Sequence, residues 1–181
     1  MGSYAVFLRG INVGGINIKM ADLRDALKNC GFADAKTLLA SGNVVLSSSL
    51  DAAAVKRGCE QCLRAAFGYE AWVVVMDAGR VAGLVDACPY PEDDRSTHTY
   101  ITLSSDTAVL DELEAAGAAL GGHDQQRLGP EALAWLAPAG GTLESPFSKI
   151  SAKSKFKAAT TTRNLRTLIK VRDAAAALAD S

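Results

Sequence analysis

A chain of 181 residues is long enough for one domain or for two small subdomains sharing a core, and its 49% hydrophobic and 22% charged content is ordinary for a globular protein. A net charge of −1 excludes whole-molecule electrostatic binding to nucleic acid, and no run of about eighteen apolar residues offers a membrane span. The charge is unevenly spread, with eight basic and no acidic residues from Lys149 to Arg172, and ten acidic residues with two arginines from Asp77 to Asp124.

The chain opens on a strand, Tyr4–Leu8, of aromatic and branched residues. No charged region followed by a long apolar one precedes it, so no export signal is expected and the expected location is cytoplasmic. The Met-Gly-Ser start resembles a myristoylation signal, but Tyr4, Ala5 and Val6 belong to the first core strand. A helix follows over Met20–Cys30, with Leu23, Ala26, Leu27 and Cys30 at helical spacing and Gly31 as its stop. Strands over Ala35–Ala40 and Asn43–Ser48 are separated by the turn signal 41-SGN-43, and a second helix over Asp51–Phe67 takes Asp51 as its N-cap. The strand 71-AWVVVM-76 completes a β-α-β-β-α-β order, the split βαβ of the ferredoxin-like fold.

The second half reads as a helix over Ala78–Ala87, a loop at 88-CPYPEDD-94, a strand over His98–Leu103 and a helix over Asp106–Leu120. A hairpin of Gln125–Leu128 and Ala132–Ala137 turns at Gly129-Pro130, and helical character returns over Ser148–Lys157 and Arg163–Leu178. This order hints at a second βαββα unit. The fold class expected is α+β, with a ferredoxin-like βαββαβ N-terminal subdomain (residues 1–77) and a second α+β subdomain (78–181) packed against it and ending in basic helices. Both alternating sets of residues in Tyr4–Leu8 and in 71-AWVVVM-76 are apolar, so both sheet faces are expected to be covered, by the second half or by a second copy of the chain.

Four cysteines, Cys30, Cys59, Cys62 and Cys88, are expected as reduced thiols. Cys59 and Cys62 have C-x-x-C spacing but fall inside a helix, where small buried residues are the simpler reading, and no metal site is expected from their spacing.

The stretch 8-LRGINVGGINIKM-20 sits between a strand and a helix. It lacks the Lys-Ser/Thr of a Walker loop and the spacing of a dinucleotide-binding loop. In a βαββαβ sheet, however, the end of strand 1, the turn between strands 2 and 3, and the start of helix 1 share one rim. Arg9, Asn12, Gly14, Gly15 and Lys19 are thus expected near Ser41, Gly42 and Asn43, where glycines expose backbone N–H groups and a helix start favours anions. The alternative is structural: glycines for positive φ, Asn43 to cap a turn, and Arg9 to pair with a carboxylate such as Asp22.

The residues 8-LRGINVGG-15, 41-SGNVVL-46, 89-PYP-91 and 162-TRNLRTLIK-170 together resemble a bacterial family, domain of unknown function 1697. The resemblance implies two α+β subdomains and carries no activity. Typical members are similar but have Trp where this chain has Leu165, and Asn-Pro where it has Cys88-Pro89.

In the basic segment, Lys149, Lys153 and Lys157, and then Arg163, Arg166 and Lys170, would each line one helical face, with Thr161 or Thr162 capping the last helix. Such a patch could follow a phosphate backbone or could balance the acidic middle of the same chain. No exposed aromatic pair on strands 1 and 3 supports stacked RNA, so nucleic acid is not the favoured partner. His98 and His123 form no metal motif, and Ser41 lacks the context of a hydrolase nucleophile.

Three readings of function stand. The first is a binding module for a phosphate- or carboxylate-bearing small molecule, with Arg163 and Asn164 as further contacts if the C-terminal segment reaches the same rim. The second is a small enzyme acting on a phosphorylated metabolite, for which no acid or base is identified. The third is an interaction or homodimerisation domain using an apolar sheet face. No cofactor, metal or membrane partner is expected.

Overall fold

The computed structural model describes residues 1–11, 17–92, 94–121 and 124–179. The chain forms two compact units, Met1–Ala82 with Ile169–Ser181, and Gly83–Leu168. No helix among the described residues is long and apolar enough to cross a membrane.

In the first unit β1 (Gly2–Arg9) is followed by α1 (Met20–Asn29), β2 (Lys36–Leu38), β3 (Asn43–Ser48), α2 (Ala52–Phe67) and β4 (Trp72–Asp77), and the chain leaves along α3 (Ala78–Ala87). The sheet order is β2-β3-β1-β4, antiparallel throughout. Tyr4, Val6 and Leu8 of β1, Val44 and Leu46 of β3 and Val73 of β4 share one buried cluster with Leu23 and Leu27 of α1 and Val55, Cys59 and Leu63 of α2. Helical periodicity on one side and strand alternation on the other thus meet in one core. The α2 ends are set locally. Asp51 accepts a hydrogen bond from Ala54 N at 2.7 Å, and Gly68 closes the helix in a left-handed conformation.

The opposite face of the same sheet is also withdrawn from solvent, since Ala5, Phe7, Val45, Val74 and Met76 are all buried. Part of the last helix belongs to this unit. Its buried Val171, Ala175 and Leu178 recur at helical spacing, and Leu178 lines a cavity with Ser3 and Ser47 at one end of that second face.

The second unit repeats the pattern. β5 (Thr97–Ser104), α4 (Thr107–Ala118), β6 (Gln125–Gly129), β7 (Ala132–Pro138), the short helices α5 (Pro146–Ser151) and α6 (Ser154–Lys157), and β8 (Thr160–Asn164) precede α7 (Leu165–Ala179). The sheet order is β6-β7-β5-β8, the same permutation as in the first unit. The chain is therefore α+β, with two antiparallel four-stranded sheets and seven α-helices among the described residues. At the centre of this unit Trp135 is buried between Tyr100 and Phe147, with ring centroids 5.0 and 4.8 Å away. Its Nε1 donates to Thr102 Oγ1 at 3.0 Å, and that hydroxyl also bonds the Thr162 hydroxyl at 2.8 Å. The indole N–H is thus satisfied without water.

Four expectations are corrected here. Arg163 and Asn164, assigned to the last helix, instead end the strand β8, which pairs with β5 from Tyr100↔Asn164 to Ser104↔Thr160. Three consecutive threonines favour a strand, whose ladder overrides the helical spacing of the cations that follow. Thr161 and Thr162 are therefore not helix caps. Asn164 fills that role, its Oδ1 accepting from Arg166 N at 2.9 Å. The spacing of Lys149, Lys153 and Lys157 does not form one face, because Lys153 is extended (ψ 146°) between two short helices. Finally, Cys30 and Cys62 are joined in a disulfide, with Cα atoms 6.1 Å apart, where reduced thiols were expected. The packing of α1 on α2 brings them together.

Candidate functional site

The rim where β1 ends is built from three separated segments. The chain turns out of β1 at Gly10, whose φ of +77° favours glycine. The Leu8 N–H donates to Gly42 O at 2.8 Å, tying the end of β1 to the β2–β3 turn. Gly42 is there for space as well as for its φ of +73°. A Cβ at that position would lie 2.5 Å from Ile11 Cδ1 and 2.9 Å from Leu8 Cβ. Ile11 and Ile18, which flank residues 12–16, are both buried in the first unit's core cluster. At the start of α1, Met20 O accepts from Thr37 Oγ1 of β2 at 3.3 Å, so the helix opens beside the same hairpin.

The predicted residues fall on this frame as follows. Arg9 is the last residue of β1, opposite Trp72 of β4, and is half-buried. Burial pulls its pKa below the usual arginine value, the mark of a guanidinium with an incomplete water shell. Ser41 is exposed on the turn. Asn43 is fully buried, and its Nδ2 donates to Leu38 O and to Ser41 Oγ, each at 3.0 Å. Its amide protons are spent holding the turn in shape, so Asn43 positions Ser41 and Gly42. Lys19 is exposed in the N-cap position of α1 with extended backbone, and its side chain does not cap the helix. Asn12, Gly14 and Gly15 lie outside the described residues.

Alternation along β1 adds a feature that spacing does not show. Leu8 points with Tyr4 and Val6 toward α1 and α2, which places Arg9 with Ala5 and Phe7 on the other face. Phe7 is paired with Asn43, so Asn43 shares that face with Arg9. Lys19, beginning α1, lies on the helical side. The two cations therefore approach the rim from opposite faces of the sheet.

Arg163 and Asn164 lie in the second unit and have work there. Arg163 is only 7% exposed, and its Nη1 donates to Thr161 Oγ1 at 2.7 Å and Thr162 O at 2.9 Å. Asn164 caps α7. Part of the basic segment is paired with the acidic middle, since Lys155 Nζ lies 3.0 Å from Glu112 Oε2. Among the acidic loop residues, Asp94 closes its own turn, accepting from Ser96 N and Oγ and from Thr97 N at 2.6 to 2.8 Å. These bonds, the Ser96 hydroxyl first, hold its carboxyl down at about 2.

Two features were not singled out from the sequence. A cleft of about 370 Å³ in the second unit is lined by Thr97, Asp124, Leu136, Pro138 and Ser145 among others, and none of the predicted site residues lines it. The second is an open groove of about 480 Å³ between α1 and α2, with the Cys30–Cys62 disulfide in its wall. Neither follows from local spacing, because the lining residues come from separated elements.

The sequence pattern of a known family matches residues 1–133, under the description "Protein of unknown function (DUF1697)". The chain belongs to this family. The DUF1697 match holds the glycine stretch, the 41–43 turn and the 89–91 loop, and ends before the 162–170 segment. Comparison with curated proteins finds no match. Among solved structures, a conserved bacterial protein from Streptococcus pneumoniae is similar over 97% of this chain and 99% of its own, with a TM-score of 0.79 and 19% sequence identity. At that identity the likeness shows a shared fold.

Proposed function

We propose that this DUF1697 protein is a bacterial, cytoplasmic anion-binding module whose site is the rim at the end of β1. Arg9 supplies the charge, the 41–43 turn and the backbone at Gly10 supply hydrogen bonds, and Lys19 adds charge from the helical side. The ligand class is a small phosphate- or carboxylate-bearing molecule. The observation that carries this reading is Arg9 itself: a half-buried guanidinium, its pKa lowered by desolvation, placed where two glycine turns bring backbone close. A guanidinium offers an anion at that position a planar fork of donors, matched to phosphate and carboxylate oxygens.

Two observations weigh against the other readings. A docking surface on an open sheet face lacks its surface, because Ala5, Phe7, Val45 and Val74 are at most 4% exposed. Nucleic-acid binding along the basic segment loses one of its cations, because Arg163 is buried.

The test is a thermal-shift screen of inorganic phosphate, sugar phosphates, nucleotides and short oligonucleotides against the wild type and Arg9→Ala. A ligand of the native state raises the melting temperature. A charge-assisted hydrogen bond contributes about 1.5–3 kcal/mol, so Arg9→Ala is expected to weaken binding by about 10- to 100-fold. A ligand that shifts both proteins equally would remove Arg9 from the site and end the proposal.

A further inference from the structure

Among the described residues, Cys30 and Cys62 bring two reactive side chains from different elements to bonding distance, and they are unequally placed. Cys30 closes the C-terminus of α1 and is exposed. Cys62 sits inside α2 and is 4% exposed. The open groove between the two helices is lined by both cysteines, together with Ala26, Ala65, Ala66 and Phe67, so solvent reaches the pair from the Cys30 side. The Cα separation of 6.1 Å lies within the range that a disulfide spans without moving backbone. The reduced form is provided for as well. Cys62 Sγ lies 3.2 Å from the Ala26 carbonyl, an acceptor for the S–H that appears when the bond opens. Cys59, one turn earlier on α2, is fully buried and its thiol is pushed up to about 12, chiefly by burial and then by Glu60, so it stays protonated and does not compete.

We infer that Cys30 and Cys62 form a reversible thiol–disulfide exchange site, entered at Cys30 and resolved by Cys62, whose co-reactants are small thiols and disulfides. In the oxidising direction the Cys30 thiolate attacks one sulfur of RSSR. The Cys30–SR bond forms, the S–S bond of RSSR breaks, and RS⁻ leaves. The Cys62 thiolate then attacks the Cys30 sulfur, the protein disulfide forms, and the second RS⁻ leaves. The two cysteine protons end on two RSH, so two thiols are oxidised and one disulfide is reduced. Reduction runs backward through the same mixed disulfide, with the external thiolate attacking at exposed Cys30 and Cys62 leaving toward the Ala26 carbonyl. This inference is independent of the anion site, which contains neither cysteine.

The test uses the full-length protein equilibrated with mixtures of 2-mercaptoethanol and its disulfide, quenched in acid, alkylated and mapped by mass spectrometry. The expected result is a Cys30–Cys62 linked peptide that appears and disappears reversibly with the ratio. Brief alkylation of the reduced, folded protein should label Cys30 about tenfold or more faster than Cys62 and Cys59, since access limits the reaction. Cys62→Ala should accumulate the mixed disulfide on Cys30, and Cys59→Ala should leave the transition unchanged. The inference is overturned if no linked peptide forms at any ratio, if Cys59 or Cys88 takes the place of either partner, or if Cys62 labels as fast as Cys30. The wild-type readouts decide the matter even if Cys62→Ala fails to fold.

Discussion

Replacing Gly42 by alanine tests whether the rim is built as described. The residue adopts φ +73°, and an alanine there carries a left-handed penalty of about 1–2 kcal/mol. The new Cβ would also lie 2.5 Å from Ile11 Cδ1 and 2.9 Å from Leu8 Cβ, both buried, and overpacking of that kind costs about 1–3 kcal/mol more. Gly42→Ala is therefore expected to destabilise the first unit by about 2–5 kcal/mol. Part of the cost belongs to one contact, so a double-mutant cycle isolates it. In an Ile11→Ala background Cδ1 and Cγ1 are gone while the Leu8 Cβ contact stays, so the Gly42→Ala penalty should fall by about 1 kcal/mol or more, short of the whole overpacking cost. The assay is urea unfolding followed by amide hydrogen exchange of β1 and β3, which reports the first unit separately from the second. Equal penalties in the two backgrounds would show that Ile11 and Gly42 do not touch, and the convergence of the two segments would be refuted.

Three further outcomes are expected. Thr102→Val leaves the buried Trp135 Nε1 without its acceptor and should cost about 1–3 kcal/mol in the second unit, read by indole fluorescence on unfolding; a change under about 0.5 kcal/mol would contradict the hydrogen bond. Opening the Cys30–Cys62 bond, which closes a sequence separation of 32, should lower stability by about 4 kcal/mol on the chain-entropy account; equal urea midpoints for oxidised and reduced protein would oppose it. The Asp94 carboxyl is held at about 2 against an ordinary 3.8, so its contribution is complete above the ordinary value and is lost as pH falls through about 2. An NMR titration of Asp94 with a midpoint at or above 3.8 would remove that turn from the account.

The first sheet was legible because each signal there is local: alternating apolar residues in β1 and β4, an N-cap at Asp51, and the 41–43 turn. The relation of Arg9 to the rim followed from strand order alone, but the face it occupies required the alternation of β1 against a core that only the structure defines. β8 was missed because helical spacing of Arg163, Arg166 and Lys170 outweighed three β-branched threonines, and spacing carries no information about a ladder to a strand sixty residues earlier. The burial of Arg163 was hidden for the same reason. The disulfide was hidden by a nearer pattern. Cys59 and Cys62 are neighbours in sequence, whereas Cys30 meets Cys62 only after α1 packs on α2. Asn43 was placed correctly in the turn, but whether its amide faces a ligand or the chain depends on Leu38 O and Ser41 Oγ, which no motif specifies.

The most direct measurement of the central claim is amide NMR of the folded chain titrated with inorganic phosphate and with a phosphorylated small molecule, in the wild type and in Arg9→Ala. The account predicts saturable shifts centred on Arg9, Gly10, Ser41 and Gly42 that vanish in Arg9→Ala, with Lys19 responding if the ligand bridges the two faces. Shifts that saturate at residues away from the end of β1, or that persist unchanged without the arginine, would contradict it.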